Sequence, residues 1–314
     1  MGPGNGARNL TNRRLIITNV VTPTPPFSPS SGPSRIFLGI VSALGAFLLT
    51  APDAHAQFTV FEAAGANAAA ITPTRDAFRT FLGGGTVAGA NGSFGGLRRE
   101  INWDGVPDSL SDPNNLPGNF FNTTSPRGVV LSTPGTGFRV SANAGLATPS
   151  LFGFTSDFAT FSSQRLFTAI NSNITDVSFF VPGTSTAATI SGFGVVFTDV
   201  EAANLTKIEF FDGNNALIFS RNALVAGNQG LTFVGAATNT LTASIARVRI
   251  TSGQNTIVSN GVLGNPTDDV VVMDDFLYAE PFAVNATAAP EPGSLALLLP
   301  VLGGVGMVLR RRRK

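Results

Sequence analysis

The sequence predicts an all-β fold, an antiparallel β-sandwich or jelly roll. Three observations carry this. Strand-like runs follow one another at short, regular spacing from residue 129 onward, with little helical pattern between them. Charged residues make up only 12% of the chain, about half the usual share. Gly (35) and Phe (26) are abundant, and 43% hydrophobic residues are enough to build a core.

Taken in chain order, residues 1–34 are rich in Pro, Ser and Asn and read as a disordered leader or a misassigned start, because no Met lies between Met1 and Met273. Residues 35–56, RIFLGIVSALGAFLLTAPDAHA, have the layout of a secretory signal peptide. Arg35 supplies the positive start and Ile36 to Leu49 the 14-residue apolar run; Pro52 breaks the helix, and Ala54 and Ala56 stand at the −3 and −1 positions. Cleavage by signal peptidase leaves Gln57 first. Fourteen apolar residues are too few to span a ~30 Å hydrocarbon core.

Residues 57–128 form the N-terminal part of the exported region. A helix is expected over Thr74 to Leu82, ending at the glycines 83–85, and NGSFGG at 91–96 reads as a turn. Residues 98–128, rich in Pro, Asn, Asp and Gly, read as a long ordered loop with little regular structure.

The sandwich core is expected over 129–281. Strands are predicted at Val129–Ser132, Gly137–Ala142, Asp157–Phe161, Thr175–Val181, Gly194–Thr198, Thr206–Phe211, Ala216–Ser220, Leu231–Gly235, Ser244–Thr251 and Asp269–Tyr278. In TKIEFF, Thr206, Ile208 and Phe210 share one face while Lys207, Glu209 and Phe211 share the other. In ASIARVRIT, Ala246, Val248 and Ile250 point in and Arg247 and Arg249 point out. Asp212-Gly213-Asn214-Asn215 between two such runs is a hairpin turn. Residues 282–289 are a linker to the last 25 residues.

Several function classes are excluded by composition. The cations gather at the two ends, leaving 11 Lys and Arg against 17 acids between Gln57 and Ala289, a net charge of −6. A nucleic-acid-binding body carries the opposite sign. There is no Cys, and the one His, His55, lies in the signal segment, so thiol chemistry, Ser-His triads and His metal clusters are absent from the region after cleavage.

The C-terminus, PEPGSLALLLPVLGGVGMVLRRRRK at 290–314, joins Pro290-Glu291-Pro292 to a short apolar stretch and five consecutive cations. Ser294 to Leu309 would make a helix about 24 Å long, thin for a bilayer, with the basic tail held on the cytoplasmic side. This ordered triple resembles the PEP-CTERM sorting signal of Gram-negative bacteria. The resemblance implies recognition by exosortase, an integral-membrane cysteine transpeptidase-like enzyme, transient anchoring through a C-terminal transmembrane helix, and display at or release from the cell surface beside exopolysaccharide. The pattern from 175 to 281 resembles the β-sandwich ectodomains that precede this signal and, in architecture, the galactose-binding-like jelly rolls of carbohydrate-binding modules; fold does not fix function.

Two groups of residues bear on chemistry. Asp268, Asp269, Asp274 and Asp275 place four carboxylates within eight residues, an oxygen-rich set of the kind Ca²⁺ selects. Strand parity puts 269 and 275 on one face and 268 and 274 on the other, so one regular strand cannot aim all four at one ion. A structural Ca²⁺ is the one cofactor this pattern suggests. Trp103 is the only Trp, flanked by Asp104 and Asp108; exposed, it would stack on a sugar ring while its polar neighbours bond hydroxyls, and buried, it would anchor the long loop. The expected function is a non-catalytic structural, adhesive or carbohydrate-binding component of the extracellular polysaccharide matrix. The alternative is a carbohydrate-active hydrolase using two carboxylates ~5–9 Å apart. A displayed domain with no ligand of its own is a third.

Overall fold

The computed structural model describes residues 57–87, 96–258, 265 and 268–284. The leader, the signal segment with Ala54 and Ala56, and the sorting signal with Pro290, Glu291 and Pro292 lie outside the described residues. Among the described residues no helix is long and apolar enough to cross a membrane.

The chain opens with β1 (Phe58–Gly65) and α1 (Ala68–Leu82). The helix starts six residues before the expected Thr74 because the Asn67 side chain accepts the Ala70 N–H at 3.3 Å, an N-cap. It runs through Pro73 and stops at Gly83, whose φ of 103° suits a residue without Cβ. Ile71, Arg75, Phe78, Arg79 and Leu82 fall on one buried stripe.

There follow β2 (Arg98–Ile101), α2 (Phe120–Thr123), β3 (Val129–Ser132), β4 (Gly137–Val140), β5 (Phe167–Ile170), β6 (Ile174–Phe179), β7 (Ala188–Thr189), β8 (Gly192–Thr198), β9 (Lys207–Phe211), β10 (Leu217–Asn222), β11 (Leu231–Thr238), β12 (Arg247–Thr251), β13 (Val272–Ala279) and β14 (Phe282–Ala283). The first sheet has the order β1-β11-β8-β13-β5-β4, with β2 also paired to β13. The second has the order β10-β9-β12-β6-β3, and β14 pairs with β7. All of these pairings are antiparallel. The expected all-β, antiparallel class is the observed one.

Burial separates the two sheets. Strands β6, β9 and β12 alternate buried and half-buried residues, so the second sheet has one wet face, as the TKIEFF and ASIARVRIT patterns require. β8, β11 and β13 are buried at every residue. On the sandwich side of the first sheet, Phe193 meets Phe179 and Phe210 of the second at ring distances of 6.3 and 6.5 Å. α1 covers part of the first sheet, with the Phe78 ring 5.4 Å from Phe61 and 5.6 Å from Phe233. This close approach needs Gly194, where a methyl group would stand 2.9 Å from both the Phe78 and Phe233 rings.

Three expectations are corrected. Residues 157–161 form no strand: Phe158 donates its N–H to Phe154 O at 3.0 Å in a turn. β1, β2, β5, β7 and β14 were not anticipated, and β14 falls in the expected 282–289 linker. The 98–128 segment is irregular only in part, since it contains β2 and α2 and is fastened to its neighbours by Asp112 N–H to Val140 O (2.7 Å) and Leu131 N–H to Gly118 O (2.8 Å).

Candidate functional site

Where β8 ends, the chain turns through Asp199 in the left-handed region, φ 71°, a conformation Asp tolerates better than most residues. Its amide donates to Gly230 O at 2.9 Å, and its Oδ1 accepts the Gln229 N–H at 3.1 Å. Asp269, just before β13, accepts the N–H groups of Glu201 (3.4 Å) and Ala202 (3.1 Å), while its carbonyl accepts those of Gln254 and Asn255. Three loops therefore converge, and carboxylate oxygens of Asp199, Glu201 and Asp269 lie within 4.8 Å of one another. Asp199 and Asp269 are buried and Glu201 is exposed.

The electrostatics of this triad are unbalanced. Burial, opposed by the Gln229 N–H and reinforced by Glu201, Asp269 and Asp157, pushes the Asp199 carboxyl up to about 7. Burial also raises Asp269 against its two amide donors. The charges acting on Asp199 are thus like charges. The all-oxygen donor set and the surplus negative charge fit a hard divalent cation such as Ca²⁺, which takes 6–8 oxygens. A bound cation would hold the three carboxylates ionised and draw the three loops together.

The predicted four-aspartate cluster is divided by the fold. Asp269 belongs to this triad and Asp268 sits half-buried beside it, its amide bonded to Asn265 O at 3.1 Å. Asp274 and Asp275 are elsewhere, buried in β13, where N–H and O–H donors of Phe161 and Ser162 already point at them. These two carboxylates are buried apart from Asp268 and Asp269, so the four acids do not converge on one ion and the calcium expectation is corrected at Asp274 and Asp275. The parity argument that separated 274 from 275 also fails, because β13 is bulged there. Asp199 and Glu201 were missed; two acids one residue apart at a strand end were the only sequence signal.

Trp103 is corrected as a sugar contact. It is 1% exposed, stacked on Phe167 at 3.9 Å and 3°, edged by Phe121 and Phe276, and its Nε1–H donates to Asp274 O at 2.6 Å. No face remains for a ligand. Its φ of 63° is costly for a bulky side chain, by about 1–2 kcal/mol, and core packing holds it there. Asp104 accepts the Arg165 N–H at 3.0 Å, and burial raises its carboxyl. Asp108 is exposed and pairs with the buried Arg165 guanidinium. The trio fastens the 102–112 segment to the approach of β5. Tyr278, the only Tyr, is buried too, so neither the Trp nor the Tyr of the chain offers a surface platform.

Two of the cavities bear on ligand binding. One, about 450 Å³, is a shallow depression lined by Asn204, Ser220, Arg221, Asn222, Leu224 and Val225. It adjoins the wet face of the second sheet, where Ser220 pairs with Glu209 and Asn222 with Lys207 in register. The other, about 60 Å³, lies beside Trp103 among Asn102, Phe120, Phe121 and Arg127. Neither is lined by a carboxylate. On the wet face, Asp176 is shared by Arg247 (2.6 Å) and Arg249 (2.8 Å), and Lys207 pairs with Glu209 at 2.9 Å. Burial pushes Asp176 up, but the bonds from Arg249 and Arg247 prevail and hold its carboxyl below the usual range. The bases are the outer partners: Arg249 and Lys207 are 39% and 35% exposed, Asp176 and Glu209 13% and 16%.

No family model matches the chain, and no curated protein matches it. Among solved structures, part of the chain is similar to the Podospora anserina GH26-CBM35 β-(1,4)-mannanase, at 13% identity and a TM-score of 0.24, covering 51% of this chain and 29% of that one. A likeness of that size carries no argument.

Proposed function

We propose that this chain is an exported, non-catalytic β-sandwich of the bacterial envelope that contacts acidic polysaccharide across the wet face of the second sheet and is steadied by Ca²⁺ at Asp199, Glu201 and Asp269. The observation that carries the non-catalytic reading is that neither the depression at Ser220 nor the one beside Trp103 has a carboxylate in its wall, while the neighbouring acids Asp274 and Asp275 are shut inside the protein. Hydrolysis by paired carboxylates needs both acids beside an open sugar site. The hydroxyls and amides of Ser220, Asn222 and Asn204 suit sugar hydroxyls, and the outward-facing Arg249 and Lys207 favour an anionic chain. Export, cleavage by signal peptidase, and exosortase-dependent anchoring rest on the 35–56 and 290–314 segments of the sequence.

The test is a pull-down of the purified protein on uronate-bearing and neutral polysaccharides, with and without Ca²⁺, followed by analysis for released sugars. Salt-sensitive, saturable retention on the acidic polymer, lost in Arg249→Ala/Lys207→Ala at unchanged melting temperature, is expected. Reducing ends appearing in the supernatant would turn the reading toward a hydrolase; retention on neither polymer would remove the ligand claim. Deleting 290–314 should release the protein from the envelope, and continued retention would contradict the anchoring claim.

A further inference from the structure

β13 pairs Met273 with Phe197 and Phe276 with Val195, so Asp274 and Asp275 together oppose the single residue Val196. In such a bulge the two-residue alternation is lost, and both side chains reach one hydroxyl. Ser162 Oγ lies 3.0 Å from Asp274 Oδ1 and 2.9 Å from Asp275 Oδ1. Asp274 Oδ2 accepts the N–H groups of Phe161 (2.6 Å) and Ser162 (3.2 Å). Asp274 is 0% and Asp275 5% exposed.

Proton counting follows. A serine hydroxyl has one proton and serves one acceptor at a time. Two ionised carboxylates on one hydroxyl leave one contact without a proton, and both carboxylates are buried. The surrounding charges do not supply a remedy. From α1, Arg75 stands 3.8 Å from Asp275 Oδ2 but 2.8 Å from Asp76, and Arg79 is bound to Glu100. From β2, Arg98 is also bound to Glu100. The 102–106 segment adds Asp104, a further acid that bonds Ser162, and β8 contributes the apolar Val196. Arg75, Arg79 and Arg98 thus face Asp76, Glu100, Asp104, Asp274 and Asp275, so the acids outnumber the cations and a retained carboxyl proton lessens the excess.

We infer that Asp274 and Asp275 share one retained proton, and that this proton latches the segment around Phe161 and Ser162 onto β13. Burial and the adjacent Asp275 hold the Asp274 carboxyl well above the usual carboxylate range. Burial raises Asp275 as well, against bonds from Asp274 and Ser162 and the pull of Arg75. A group raised in the folded state gives its full stabilisation below its ordinary value and loses it as pH climbs through the folded one. The latch is therefore closed in acid and opens toward alkali, the reverse of ordinary acid denaturation.

The experiment is amide exchange by NMR on the full chain, reading the Phe161 and Ser162 N–H groups from mildly acidic to alkaline pH, with intrinsic base catalysis normalised. In the wild type their protection should fall about tenfold per pH unit once the second proton leaves. In Asp274→Asn, whose amide stands in for the neutral acid, protection should be flat over the same range. The ¹³C carboxyl shifts of the wild type give a second reading that requires no variant. Two separated steps, the upper above the ordinary range, are expected. Both acids ionising together near pH ~4, or parallel exchange profiles in wild type and variant, would overturn the inference.

Discussion

Arg79 and Glu100 meet end to end between α1 and β2, Nε on Oε1 at 2.9 Å and Nη2 on Oε2 at 2.6 Å. Both side chains are almost wholly buried, and Arg98 Nε adds a third bond to Oε1 at 3.0 Å. Removing one partner of a buried pair leaves the other charge uncompensated, at a cost of about 3–5 kcal/mol. Glu100→Gln should therefore lower the unfolding free energy measured in urea by that order, with two buried guanidiniums losing their shared anion. A loss below about 1 kcal/mol would mean that water reaches the pair.

Trp103→Phe should destabilise the protein by about 1–3 kcal/mol, because Asp274 O loses its donor inside the core. Polysaccharide retention by the folded variant should be unchanged. A binding defect without a stability defect would return Trp103 to the surface.

The triad makes stability depend jointly on pH and cation. Without divalent ions, the Asp199 carboxyl binds its proton more tightly folded than unfolded, so its contribution falls as pH rises from about its ordinary 3.8 to about 7. Added Ca²⁺ should remove that fall, since binding requires the ionised acid. Thermal melts at several pH values, with Ca²⁺ and with chelator, check this. Asp199→Asn should flatten the chelator profile and abolish the Ca²⁺ gain; a wild-type melting temperature indifferent to chelator would refute the cation site.

Gly194→Ala should cost about 1–3 kcal/mol by overpacking, as its methyl group meets the Phe78 and Phe233 rings at 2.9 Å. Denaturant midpoints test it. A neutral result would show that α1 can lift from the sheet.

Legibility followed hydration on the second sheet only; β8, β11 and β13, buried at every residue, were read from longer apolar runs. β6, β9 and β12 were readable because one face of each is wet, leaving Arg247 and Arg249 alternating with Val248 and Ile250. β5, FTAI, is buried on every residue and carries no alternation to read. Pro73 concealed the first turns of α1, whose start depends on the Asn67 cap. At the sites, residues adjacent in sequence were easiest to group and least informative: Asp268 to Asp275 looked like one cluster and is two. The triad joins Asp199 and Glu201 of the loop after β8 to Asp269, nearly seventy residues on, and only the folded chain brings them together. Trp103 looked suited to sugar because acids flank it, yet its decisive neighbours are Phe121, Phe167 and Phe276, none within fifteen residues.

β13, the last long strand among the described residues, does not lie at a sheet edge: β8 runs along one side, and β2 and β5 share the other. A tug along the strand from residue 284 would load both rows of its hydrogen bonds in shear, so many must yield at once instead of peeling singly. Tethered by its C-terminal side in flowing medium, such a domain would resist traction where its weave is densest, and single-molecule pulling would register one high-force rupture.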